Sequence, residues 1–133
     1  MSGIRIVGAL LRAHAELGAI VPPARVKAGA LPEKVELPAL LVRSVSLVER
    51  QPLTIGEKIH TTERISIAVR AANYQDQDTV MRLVRSCCRG VIGTVDGIGN
   101  VSVRTAGTGP DARGPGNSFE KTTDFRVSFD ADA

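Results

Sequence analysis

The sequence predicts an α+β fold: a four-stranded, mainly antiparallel sheet with two helices packed on one face, in the order α-β-β-α-β-β. Three observations predict it. Segments 3–19 and 75–91 repeat apolar residues at helical spacing, and segments 39–50, 58–72, 98–106 and 119–129 are rich in Val, Ile, Leu or Phe with stretches of period two. Clusters of glycine and proline separate them. At 133 residues the chain suits one domain, 1–133.

In the first helix, Ile6, Val7, Leu10, Leu11, Ala13 and Leu17 share one arc, with Arg5, Arg12 and Glu16 opposite. Ser2 is the expected N-cap, and Gly18 followed by Pro22-Pro23 the stop. His14 falls on the apolar arc, as a hydrogen-bonded boundary residue would. A proline-bearing loop then leads to the strand ALLVRSVSLVER at 39–50, and QPLTIGE at 51–57 reads as a turn or tip.

The period of two is cleanest from Ile65 to Ala71, and the same row extends back through Glu63, Thr61 and Ile59. In the second helix Val80, Leu83, Val84, Cys87 and Val91 form the stripe, which makes Cys87 a core filler and places Cys88 at its edge. TVDG at 94–97 is a turn; Val101 and Val103 mark one face of the next strand. Glycine and proline crowd 107–116, so that segment is expected to hold no regular structure and to be mobile. Phe119, Phe125, Val127 and Phe129 point inward from the last strand, and the tail from Asp130 is expected to fray. Two helices cover one sheet face, leaving the other as a wet or partner-facing surface of charged, small and hydroxyl side chains.

Charge and motifs exclude several functions. The net charge is +3, with 17 Lys and Arg scattered among 14 acids, which reads as a mixed solvated surface. The two cysteines are adjacent, so no disulfide framework is expected and the cytoplasm is the expected site of synthesis. No secretory leader is expected, and no stretch reaches the roughly 18 apolar residues of a membrane span. His14 and His60 lie on different elements, outside any zinc-ligand spacing, so no metal site is expected. The Gly97 and Gly107 regions lack the strand, glycine loop and helix order of a phosphate site, so no cofactor is expected. No acid, base and nucleophile group together, so no catalytic residues and no enzyme activity are expected.

Candidate contacts are the row Arg82, Arg85 and Arg89, opposite the second helix's core stripe, and the loop residues Leu53, Ile55, Arg113 and Asn117. The arginines read either as a solvated face, with Asp78 paired to Arg82, or as a contact to an acidic neighbour or to passing DNA.

Over nearly its whole length the chain resembles the tail-completion and tail-terminator proteins of long-tailed bacteriophages, which include related head–tail joining proteins. The resemblance lies in the opening helix IRIVGALLRAHAELGAIV, the stretch leading to LPALLVRSVS, the strand–corner–helix segment ERISIAVRAANYQDQDTVMRLVRSCCRGV, and the closing strand KTTDFRVSF. It implies a structural virion protein that forms a ring, hexameric in this family, at the head-proximal end of the tail tube. The implied partners are further copies of itself, the tail tube protein and the head–tail connector or head-closure protein. Genomic DNA would pass through the lumen without specific binding, and no membrane is involved. The implied localisation is the virion head–tail junction, with the host cytoplasm during assembly. The alternatives are a head-closure or neck adaptor ring of the same junction, and a small nucleic-acid-binding α+β module. Against the last, no aromatic platform is visible on an outward strand face.

Overall fold

The computed structural model describes residues 2–32, 34–54 and 56–132. It overturns the expected four-stranded, two-helix layout. The chain builds a mixed seven-stranded sheet with three helices, in the order α-α-β-β-β-α-β-β-β-β. The helices are α1 (Ser2–Ala13), α2 (Ala15–Ile20) and α3 (Tyr74–Cys88). The strands are β1 (Val26–Ala28), β2 (Ala39–Arg50), β3 (Lys58–Ala71), β4 (Ile92–Val95), β5 (Ile98–Thr108), β6 (Ala112–Arg113) and β7 (Phe119–Asp132). Their spatial order is β1-β2-β3-β7-β5-β4, with β6 laid against β7. Among the described residues only the β1–β2 pairing is parallel.

The additional elements depend on neighbours more than on local pattern. β1 is three residues that follow a 3₁₀ turn and run beside Leu40–Val42. β4 precedes the Asp96-Gly97 pair, which takes positive φ at both positions (51° and 77°) and so turns the chain tightly into β5. Residues 107–117 hold structure, contrary to expectation. β5 runs on to Thr108, β6 pairs Ala112 with Glu120, and a 3₁₀ turn spans Pro115–Asn117. The expected frayed tail is also strand: Asp130, Ala131 and Asp132 pair with His60, Ile59 and Lys58.

The first helix is broken at His14. Its imidazole Nδ1 accepts the Leu17 N–H at 3.2 Å, so His14 caps α2 as a hydrogen-bonded boundary residue. The break redirects the chain so that Leu17 and Val21 still reach the core. Gly18, the expected stop, lies inside α2, and Ser2, the expected cap, lies inside α1. Asn73 caps α3 by accepting the Asp76 N–H at 2.8 Å. The buried stripe of α3 is Gln77, Val80, Met81, Val84 and Cys88, rotated from the predicted one. Cys88 is therefore the core cysteine, and half-buried Cys87 donates its thiol to the Leu10 carbonyl at 3.0 Å, tying α3 to α1. Its hydrogen bond with the Cys87 thiol first, and burial second, push the Cys88 thiol far up, which keeps it protonated.

The core lies between the helices and one sheet face. Ile6, Val7 and Leu11 of α1 and Val80 and Val84 of α3 meet Ile65, Ile67, Val69, Phe125 and Val127, all 0–1 % exposed. One carboxylate enters this layer. Glu63, 0 % exposed, accepts the Gly3 N–H at 3.0 Å and so satisfies an otherwise open donor at the start of α1. The helix can approach this closely because residue 3 has no side chain: a Cβ there would lie 2.5 Å from the carboxylate oxygen.

Gly3→Ala is therefore expected to destabilise the fold by about 1–3 kcal/mol despite alanine's better helix propensity. Gly8→Ala, whose Cβ would meet only the movable end of Arg12, should cost less. Thermal or urea unfolding of the two variants checks this, and equal losses would show that Glu63 has room to yield.

Candidate interaction surfaces

Strand alternation gives the sheet a second face that no helix among the described residues covers. Its centre is built by register. Arg64 of β3 stands opposite Arg126 of β7, and Arg126 opposite Arg104 of β5, so three arginines cross three adjacent strands in one row. The next row is all hydroxyl: Thr62, Ser128 and Ser102 are partners in the same register, with Thr62 and Ser128 bonded at 3.0 Å. Arg64 is held by Asp124 (Nε to Oδ2, 2.8 Å) and by the Ala106 carbonyl at 3.3 Å. Arg104 and Arg126 are exposed and form no ion pair among the described residues. A depression of about 300 Å³ opens beside Arg64 and Asp124, floored by Gly107–Gly109 and Thr122. Basic residues scattered along the sequence are thus gathered in space.

The ends of this face carry matched charges. Arg70 binds Glu120 (2.5 Å) at one end. At the other, Lys58 pairs with Asp132, and Asp130 takes His60 Nδ1 at 3.1 Å and a hydrogen bond donated by Asn100. These contacts hold the Asp130 carboxyl below the usual carboxylate range, through His60 first and Asn100 second. Lys58 does the same for Asp132, and Asp132 in turn raises the Lys58 ammonium above its ordinary value. Beside this end, Arg5 of α1 grips Asp96 of the β4–β5 turn at 3.0 and 3.1 Å, above a depression of about 290 Å³.

A second surface is the outer edge of β2. β1 pairs with β2 only at Leu40–Val42, so the outer edge of β2 beyond that point has no neighbouring strand among the described residues. Every residue from Val45 to Arg50 is exposed, including Val45 (57 %), Leu47 (42 %) and Val48 (67 %). Leu53, predicted as a contact, is fully exposed in the β2–β3 connection, and Ile55 lies outside the described residues. At the opposite sheet edge, β4 exposes Ile92 at 83 %.

Arg113 and Asn117 sit together. The Arg113 guanidinium lies 4.1 Å from the Phe119 ring centroid and donates to the Asn117 carbonyl at 2.9 Å. Tyr74 packs edge-on against the same ring, with centroids 6.3 Å apart. The α3 arginines divide: Arg82 pairs with Asp78 at 3.5 Å, Arg85 is half-buried, and exposed Arg89 is the C-cap. They are not joined to the Arg64 row, which lies across the sheet. Among the described residues no three His, Cys, Asp or Glu cluster as a metal site would. No helix among the described residues is long and apolar enough to cross a membrane.

These features define a class: a chain of helices on a mixed, mainly antiparallel sheet, with one helix-covered face, one polar face and a free edge along β2. Among solved structures it is similar to a chain from the "Virion of native gene transfer agent (GTA) particle", with TM-score 0.68 and 15 % identity, covering 96 % of this chain and 94 % of that one. The two share a fold over nearly their full lengths. No protein-family model and no curated protein matches the chain.

Because Asp130 and Asp132 are depressed in the folded state, their contribution to stability is present above the unfolded value of about 3.9 and lost as pH falls below it. The amide resonances of Ile59 and Ala131, which alternate with these groups along β3 and β7, should therefore keep their neutral-pH positions until the pH falls below that value, and Asp130→Asn should lessen the change they then show. NMR titration of the wild type and Asp130→Asn checks this, and a change completed above that pH, or one unaltered in Asp130→Asn, would contradict it.

Proposed function

We propose that the chain is a structural virion subunit, a single domain whose work is contact rather than turnover. Copies of it form a ring, hexameric as the tail-terminator resemblance implies, at the head-proximal end of a phage tail tube. The ring ends tube growth and joins the tail to the head connector. The observation that carries this reading is the pair of unlike sheet edges. The β2 side offers an unpaired edge with exposed Val45, Leu47 and Val48, and the β4 side offers a different edge with Ile92. Unlike edges favour head-to-tail contacts, which close into a ring when the rotation permits. An apolar edge left in water is also a site for pairing with another chain. The fold shared with a chain of a gene transfer agent virion supports the virion setting. In this reading Leu53 in the β2–β3 connection and Arg113 of β6 meet the neighbouring rings.

The test is mass by light scattering with particle imaging. The wild type should assemble as a closed ring, each contact burying on the order of 1,000 Å² in total or more. Val45→Glu combined with Val48→Glu should leave a folded monomer with an unchanged thermal midpoint, since both side chains are exposed. A wild type that stays monomeric and is missing from particles would refute the reading.

A further inference from the structure

We infer that the uncovered sheet face is a phosphate-facing surface that takes the backbone of duplex nucleic acid, without reading its sequence, along the Arg64–Arg126–Arg104 row. The inference deepens the ring reading, because it assigns this face to the lumen through which the genome passes.

Like charges directly opposite one another on neighbouring strands disfavour the sheet that holds them. Here the unfavourable pairing occurs twice in succession, Arg64 against Arg126 and Arg126 against Arg104. Asp124 is the one acid bonded to the row among the described residues, and it engages Arg64 at the side. Arg126, in the middle, is left exposed between two cations. An external anion lying across the strands relieves both repulsions at once.

The geometry selects the anion. Strands lie about 4.8 Å apart, so the row presents three guanidinium groups over roughly 10 Å, a line of charge rather than a pocket. The adjoining Thr62, Ser128 and Ser102 supply hydroxyls, which together with arginine make the usual phosphate contacts. Single strands are held mainly by stacking on aromatic side chains. This face has none: Phe125 and Phe129 are buried on its reverse, and Tyr74 meets Phe119 at the edge. A duplex, whose phosphates face outward and whose bases need not be touched, is the partner that fits.

The experiment measures binding of a short labelled DNA duplex to the purified protein at 50 and 200 mM salt. Three phosphate contacts predict an affinity that falls about 40-fold between these concentrations. Arg104→Ser combined with Arg126→Thr leaves one contact, so the fall should shrink to about 3- to 4-fold. The thermal midpoint of this variant should be unchanged or raised, because a repulsive row has been removed. Arg126→Lys keeps the charge and should keep the salt slope. Arg82→Ser combined with Arg89→Ser removes the same charge from the helical side and should bind as the wild type does.

No binding by the wild type at 50 mM salt, equal binding by the sheet-face variant, or an equal loss in the helix variant would each overturn the inference. So would competition by polyglutamate as effective as that by duplex of equal charge, which would point to an acidic protein instead. Light scattering on the same samples separates the two proposals. A monomer that is also missing from particles but shows the predicted slope retires the ring and leaves the face standing; a ring without the slope does the reverse.

Discussion

The structure depends on one pairing. β3 and β7 lie antiparallel for 14 residues each, in unbroken register from Lys58 opposite Asp132 to Ala71 opposite Phe119. Because side chains alternate along a strand, this single register commits every residue of both strands to a face. Odd-numbered positions from Ile59 to Ala71 and from Phe119 to Ala131 form the helix-covered side. Even-numbered positions form the exposed side. A slip of one residue would carry Ile65, Ile67, Phe125 and Val127 into water and bring Arg64, Arg70, Asp124 and Arg126 into the core, which no ordinary compensation could offset. β2 and β5 add to the two flanks of this pair, so their faces are inherited from it.

The helices attach to the same spine through a polar contact as well as an apolar one. Glu63 belongs to the inward row, where a carboxylate is costly unless bonded. The start of α1 supplies the Gly3 N–H and the favourable end of the helix dipole. Apolar burial holds α1 against the sheet, and the Glu63 contact fixes where along β3 the helix begins. From there the His14 cap turns the chain into α2 so that Leu17 and Val21 finish the same layer.

What the sequence revealed follows from this arrangement. The bounds of β2 and β3 were legible because their patterns are long, and an inward row of seven residues outweighs any local ambiguity. β1 and β4 were not: Val26–Ala28 has too few residues for a period, and Ile92–Val95 holds a glycine and gains its strand character from the Asp96-Gly97 turn and from β5. That Asp-Gly pair was the available signal for a hairpin. Residues 107–117 were misjudged because their composition suggests looseness while their order comes from contacts far along the chain or outside local pattern. These include the Gly109 N–H donated to the Thr122 carbonyl and Arg113 stacked on Phe119. Cys87 and Cys88 exchanged places because Gln77 and Met81, weak markers of a core stripe, are buried and rotate α3 by about one position.

The surfaces were less legible than the core for a physical reason. A core announces itself through hydrophobicity, a property each residue carries alone. A charged row is a relation between strands, and Arg64, Arg104 and Arg126 become neighbours only through two registers and the irregularity between Thr105 and Gly107. Moving that bulge to the other side of Arg104 would set this arginine opposite a different β7 residue and break the row while leaving composition and net charge unchanged. The same register that buries Phe125 and Val127 therefore places like charges side by side, and the molecule cannot relieve one without disturbing the other. The crowding of charge on the outer face is a consequence of the order on the inner one.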